Sequence, residues 1–316
     1  MGHYLGIDLG GTNIVAGVVN EKYALCNKVR KPTLPTRSLP DVVADMAAAG
    51  RQALQEAGLA PADIAYVGLG VPSTINPETQ RVVNANNLGW KDADVIGEFR
   101  KNWDVPVLMG NDADCAVLGE SLAGAAAAYS DVLMVTLGTG LGGGIVLQKK
   151  LFLGGDGVGI EPGHTLLEYD GFPCTCGKMG CLEAYVSVTA LTRQTIDMMM
   201  VHAKSLMWEQ CGHDLNRVNG RTAFDAARRG DKPAKMVVNK YIDYLAAGLA
   251  SMITLLRPQV VIVGGGLSNE GDNLLRPLYS KVSETIFSCD LLSTPPIIRA
   301  ALGNDAGIIG AALLGL

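Results

Sequence analysis

The tetrapeptide Gly110-Asn111-Asp112-Ala113 returns letter for letter 193 residues later as Gly303-Asn304-Asp305-Ala306. Four identical letters alone mean little, but they are the last of three matches that fall in one order. The apolar run Tyr4 to Ile7, the turn Asp8-Leu9-Gly10-Gly11-Thr12 and the apolar run Ile14 to Val19 predict a β-hairpin. Leu133 to Leu137, Gly138-Thr139-Gly140 and Gly144 to Leu147 restate that hairpin at an offset of 128 residues. Val260 to Gly266 then echoes Ile64 to Gly70 at an offset of 196. The chain therefore reads as two copies of one α/β plan facing one another across a cleft. The larger later offsets place an insertion in the second copy, at roughly residues 150 to 230.

Within the first copy, a strand is expected over Ala24 to Arg30 and a helix over Leu39 to Ala57, with Ser38 before it and Gly58 after. A strand over Ile64 to Val71, a helix near Asp92 to Asn102 and a strand over Val105 to Met109 follow. Either Asn111 or Asp112 caps a helix running to about Ala127. The 316 residues are 48% hydrophobic and 18% charged, which suits a chain with a sizeable core. The net charge of −5, with no basic run longer than Lys149-Lys150 or Arg228-Arg229, argues against nucleic acid as a partner. The apolar runs Leu245 to Leu256 and Ala306 to Leu316 are too short to cross a membrane, and the N-terminus enters a strand pattern at once, so a cytoplasmic location is expected.

A glycine turn alone is most simply a tight hairpin. Two of them presented by duplicated halves suggest backbone N–H groups gathered around a polyanion. Asp8 stands beside the first turn, where a carboxylate can hold Mg²⁺ or its waters against a polyphosphate, and Thr12 and Thr139 offer hydroxyls. Gly264-Gly265-Gly266 carries no side chains and leaves room for a flat adenine or a ribose.

Seven cysteines without a secretory pattern are not a disulfide framework. Cys26, Cys115, Cys211 and Cys289 are scattered and read as core or surface residues. His164, Cys174, Cys176 and Cys181 fall within 18 residues, and three thiolates with one imidazole complete a closed, structural zinc site. Gly177 and Gly180 permit the tight backbone such spacing needs; reduced unligated thiols and a disulfide are the alternatives.

Four segments carry a resemblance: Asp8 to Thr12, Leu137 to Gly144, Glu161-Pro162-Gly163-His164, and Cys174-Thr175-Cys176-Gly177-Lys178-Met179-Gly180-Cys181-Leu182-Glu183. Over residues 4 to 316 the chain resembles the repressor, ORF and kinase (ROK) family of sugar kinases. The resemblance implies an actin-like, hexokinase-like ATPase fold, with a small α/β domain over 1–112 plus 303–316 and a large one over 113–302. It implies ATP-dependent phosphorylation of a hexose at C6, glucose first, with N-acetylmannosamine, mannose, fructose and allose as alternatives, and a homodimer. Asp112 would be the general base, with Asn87, Asn111, Asp112, Glu161, His164 and Glu183 on the sugar. Asp8, Gly10, Gly11, Thr12, Asn13, Gly138, Thr139, Gly140 and Gly264 to Gly266 would hold the nucleotide with Mg²⁺, and His164 would serve both zinc and sugar. Asp305 repeats Asp112 and would sit beside the nucleotide or cap its helix. Ile160 and Ser73 stand where relatives commonly have glycine, which bears on substrate choice. Polyphosphate as donor, a non-catalytic sugar sensor and a sugar-responsive repressor are the rivals.

Overall fold

The computed structural model describes residues 2–287 and 292–316, so Cys289 lies outside the described residues. Strands β1 (His3–Leu9), β2 (Asn13–Asn20) and β3 (Leu25–Pro32) form a meander, and α1 (Leu39–Glu56) leads to β4 (Ile64–Val71). Ser38 caps α1 by accepting the Asp41 N–H, and Gly58 follows with φ of +69°. Three short strands, β5 (Thr74–Ile75), β6 (Val82–Ala85) and β7 (Trp90–Ala93), precede α2 (Val95–Asn102), β8 (Val107–Asn111) and α3 (Asp112–Leu122). The expected helix near Asp92 starts later because β7 takes Trp90 to Ala93, and Asp94 caps α2 through the Gly97 N–H.

The second copy contains β9 (Val132–Leu137), β10 (Leu141–Leu147), β11 (Lys150–Leu151), α4 (Glu183–Val186), α5 (Val188–Val201), α6 (Met207–Gln210) and α7 (Thr222–Arg228). It ends with α8 (Lys232–Leu256), β12 (Val260–Gly264), α9 (Asp272–Thr285), β13 (Ile297–Arg299) and α10 (Ala306–Ala312). The first sheet has the order β3-β2-β1-β4-β8 and the second β11-β10-β9-β12-β13. These orders are the same: each sheet has a meander, then two strands reached through helices. The duplication read from three short matches thus extends to the topology of both sheets. The inserted stretch holds the cysteine-rich loop and α4 to α7.

Residues Met1–Leu133, Gly144–Ile160 and Ala301–Leu316 form one compact unit, and Met134–Gly143 with Glu161–Ala300 form the other. These edges differ from the expected division at residue 112, because α3 belongs wholly to the first unit. It packs there against α10, its counterpart in the repeat. Their backbones meet at glycine: a Cβ on Gly310 would lie 1.6 Å from the Cys115 carbonyl oxygen, and one on Gly119 2.5 Å from that of Ala306. β1 and β4 lie under α10 in the same way, since a Cβ on Gly6 or Gly68 would meet the Ile308 or Ala311 carbonyl at 2.0 or 1.8 Å.

Helix α3 stops at Leu122 rather than near Ala127. The alanines beyond favour helix, yet the fully buried Glu120 carboxylate draws the chain back, accepting the Ala125 N–H at 2.8 Å and the Leu302 N–H at 2.7 Å. A buried carboxyl group accepting two backbone N–H groups outweighs the propensity of a few alanines. Among the described residues, no helix is long and apolar enough to cross a membrane.

Candidate active site and metal centre

Asp8 lies on β1, opposite Val15 of β2, and points at small residues. A Cβ on Gly307 would come within 3.0 Å of its carboxylate, and one on Gly70 within 3.6 Å of Oδ1. Glycines at these positions leave the space the carboxylate occupies. Burial first, and then the charge of Asp112, push Asp8 up to about 7 from an ordinary 3.8. The folded protein therefore holds a proton there that the unfolded chain releases, so Asp8 lowers stability progressively as pH rises from about 4 to about 7, and not further above. Asp8→Asn removes that slope: the gap in melting temperature between variant and wild type should widen in the variant's favour between pH 5 and 8. A constant gap would contradict the shifted titration.

Asn111 takes the cap of α3, its Oδ1 accepting the Ala113 and Asp114 N–H groups at 2.7 and 3.3 Å, while its Nδ2 donates to the Ser73 carbonyl at 3.0 Å. Asp112 is thereby freed from capping and stands as the first helical residue, near Asp8. Burial pushes its carboxyl above the ordinary carboxylate range, against the pull of the Ala113 N–H. Ser73 is buried, and its hydroxyl has no hydrogen-bond partner in this structure. Asn87 is exposed and lies beside the first turn, 4.0 Å from where a Cβ on Gly11 would be. The second copy behaves differently at the repeated tetrapeptide. Asp305 makes no side-chain cap for α10, which corrects the capping expectation; it pairs with Lys28 at 2.7 Å.

The first turn, Gly10 to Asn13, is held from behind. Gly10 donates its N–H to the Asn13 carbonyl at 2.9 Å, and Thr33 donates its hydroxyl to Gly10 O at 2.7 Å and its N–H to Thr12 O at 2.9 Å. In the other unit, the turn Gly138-Thr139-Gly140 is held likewise. Gly138 N–H reaches Gly140 O at 3.1 Å, Val188 N–H reaches Gly138 O at 2.8 Å, and the Thr189 hydroxyl reaches Thr139 O at 2.7 Å. Thr12 and Thr139 are both exposed. The third turn backs onto the second. Gly265 has φ of +79°, and a Cβ there would fall 2.4 Å from the Leu137 carbonyl oxygen, whereas Gly266 faces open space. No side chain other than hydrogen fits Gly265 without moving β9.

His164 Nδ1, Cys174 Sγ, Cys176 Sγ and Cys181 Sγ converge, all four donor atoms lying within 4.8 Å of one another. Cys176 and Cys181 approach at 3.6 Å, as do Cys174 and His164. A tetrahedral ion with metal–sulfur bonds of about 2.3 Å needs donor-to-donor edges of about 3.5 to 3.8 Å, so the donors suit zinc in number and type, and the two 3.6 Å edges match its spacing. Gly177 and Gly180 have φ of +85° and +75°, and Gly177 donates its N–H to the Cys174 carbonyl across the tight turn. The loop is anchored through Phe172, whose N–H donates to the Tyr185 hydroxyl at 2.9 Å and whose ring packs on Tyr185 and under Arg193. In protein prepared with added zinc, Cys176→Ala is expected to retain less than stoichiometric metal and to melt at a lower temperature; unchanged stoichiometric metal by elemental analysis would remove Cys176 from the ligand set.

Glu183 links this loop to the second turn. Its Oε1 accepts the Thr175 hydroxyl at 2.9 Å, and its Oε2 accepts the Leu141 N–H at 2.9 Å. Glu161 and His164 are exposed at the two ends of a short 3-10 turn, Glu161 just before it and His164 its last residue, with the His164 N–H donating to Glu161 O. The structure thus brings Asp8, Asn87, Asn111 and Asp112 into one unit, and His164, Glu161, Glu183 and the second and third turns into the other. Thr33 and Thr189 were not expected from sequence. Each is a lone threonine remote from the turn it supports, and no motif marks it. Cys26 is exposed and Cys115 and Cys211 are buried, as core and surface residues would be.

Comparison with known proteins gives a consistent picture. The model of the ROK family matches residues 4–316. The glucokinase of Thermotoga maritima is 36% identical over 98% of this chain and 95% of its own length. The crystal structure of a ROK family glucokinase from Streptomyces griseus in complex with glucose and AMPPNP superposes with a TM-score of 0.83, 32% identity and 99% coverage of both chains. The ROK hexokinase of Thermus thermophilus gives a TM-score of 0.84 at 32% identity, covering 99% of this chain and 97% of its own.

Proposed function

The chain belongs to the ROK family, and we propose from that footing and from its own site that it transfers the γ-phosphoryl group of ATP to the C6 hydroxyl of a hexose, glucose first. The observation that carries the reading is Asp112: a carboxylate at the start of α3, relieved of capping by Asn111, largely withdrawn from water and close enough to Asp8 to act on its charge. An alcohol is too weak an acid to lose its proton to a carboxylate in the ground state. Asp112 therefore orients the hydroxyl and takes its proton as the bond to phosphorus forms, while positioning and charge neutralisation supply most of the rate.

The residues on the nucleotide side are Gly10, Gly11, Thr12, Asn13, Gly138, Thr139 and Gly140 for the phosphates and Gly264, Gly265 and Gly266 for the adenosine. Their support is the bracing of both turns and the open face at Gly266. Asp8 would hold Mg²⁺ or its waters, which neutralises phosphate charge when bound. Asn87, Asn111, Glu161, His164 and Glu183 are assigned to the sugar hydroxyls. Glu183 accepts three bonds, from Thr175, Cys174 and Leu141, and a carboxylate has a fourth lone-pair site to offer, while His164, with Nδ1 in the thiol cluster, keeps Nε2 for a ligand. Zinc would be structural, fixing the imidazole and the loop that carries Glu183. A cytoplasmic location, supported by a cluster that works only as reduced thiols, and a homodimer, supported by the family resemblance, complete the proposal.

A coupled ADP-release assay with MgATP over a panel of hexoses and N-acetylhexosamines tests it. The highest kcat/KM on glucose is expected. A higher value on another sugar would move the substrate, and no turnover accompanied by sugar-dependent thermal stabilisation would make the protein a sensor.

A further inference from the structure

The two glycine turns are held from behind by side chains that the site described above leaves without a role. A turn presents its N–H groups to a polyanion only if its carbonyl oxygens are directed elsewhere, because a carbonyl aimed at phosphate repels it. In both turns, three carbonyl oxygens are engaged from behind. In the first they are Gly10 O by the Thr33 hydroxyl, Thr12 O by the Thr33 N–H, and Asn13 O by the Gly10 N–H. In the second they are Gly138 O by the Val188 N–H, Thr139 O by the Thr189 hydroxyl, and Gly140 O by the Gly138 N–H. Each set contains one threonine hydroxyl at 2.7 Å, one backbone donor from the same short segment, and one bond within the turn.

The supports are not copies of one another. Thr33 follows β3, whereas Thr189 opens α5, and the hairpin offset of 128 carries position 33 to Glu161 rather than to a threonine. The turns were inherited together, but the same three-point support has been assembled from unrelated parts of the sequence. That coincidence points to a requirement of the turns themselves rather than to a relic of duplication.

We propose that Thr33 and Thr189 are positioning residues for the nucleotide: their hydroxyls hold the carbonyls of the two glycine turns away from the phosphates, so that the turn amides are aimed before ATP arrives. The proposal rests on the kinase reading above. It makes each threonine specific to the nucleotide, with no part in sugar binding, because neither touches Asn111, Asp112 or the zinc loop through a hydrogen bond that the structure shows.

Thr33→Val and Thr189→Val keep the shape and remove only the hydroxyl, and Thr33→Ser and Thr189→Ser restore it. Kinetics should show KM for MgATP raised about tenfold by each valine, from the loss of one hydrogen bond to a group then left unsatisfied. KM for sugar should stay within about twofold, and the serine variants should return to near wild type. The double valine variant should raise KM for MgATP further than either single variant, because each turn loses its own threonine hydroxyl. Calorimetric titration with ADP reads the same effect without turnover. If wild type binds ADP yet phosphorylates no sugar, the kinase reading falls while the ADP affinities of the variants still decide the role of the threonines. Valine variants with wild-type nucleotide affinity, or with both substrates weakened alike, overturn the proposal. Thr33 is fully buried, so if Thr33→Val fails to fold, the exposed Thr189 decides the outcome alone.

Discussion

Asp112→Ala loses turnover by at least about 10²- to 10⁴-fold, the range that a positioned general base contributes, while sugar binding by calorimetry stays within severalfold of wild type. The second half of the expectation separates this residue from a structural one. Burial already raises the Asp112 carboxyl, so at neutral pH its ionised form is a burden on the folded state. Alanine removes that burden and forfeits hydrogen bonds to the carboxylate from its own backbone N–H and from the Ala113 N–H, which Asn111 also engages. Melting temperature should hold or rise as activity disappears, the pattern of a residue retained for chemistry at a cost in stability. A variant that melts several degrees lower and keeps near-wild-type turnover would make Asp112 part of the helix start and nothing more.

The second large effect concerns the fold. Gly310→Ala puts a methyl group where the Cys115 carbonyl oxygen already is, at 1.6 Å, with the Cys115 carbonyl carbon at 2.5 Å. Both obstacles are backbone in the middle of a helix, so neither can rotate aside, and α10 must separate from α3. Overpacking of a rigid contact costs about 3 kcal/mol at the upper end of its usual range, or about 6 to 12 °C in melting temperature for a unit of this size. Gly155→Ala is the control: it stands in a loop with nothing within 4 Å and no positive φ, and it should melt like wild type. Equal melting temperatures for the two variants would show that α3 and α10 are not packed so closely in solution.

Much of this was legible in the chain because duplication turns weak signals into a frame. The Ser38 cap, the hairpins and the bounds of β4 followed from local chemistry, and the cysteine spacing led to donors that do converge. What escaped notice has a common cause. Strands β5 to β7 are two to four residues long, too short to show alternation, and exist only by pairing with one another. The stop of α3 depends on Glu120, whose two partners lie five and 182 residues away. Thr33 supports a turn 23 residues earlier, and Thr189 one 50 residues earlier. The choice of Asn111 over Asp112 as the cap turned on a carbonyl at Ser73, on another strand end. Contacts of this kind leave no period and no motif behind.

The return of residues 301–316 to the first unit bears on how the protein is made. The first sheet emerges from the ribosome early, but the backbone of β1 and β4 that α10 covers stays uncovered until residues 306–312 have been synthesised, after the whole of the second unit. The earliest-made unit is therefore the last to be completed. During translation it waits with Gly6, Gly68 and Gly119 uncovered, a surface on which chaperones would be expected to act, and a chain stopped before Ala306 would have a second unit that is whole and a first that lacks α10.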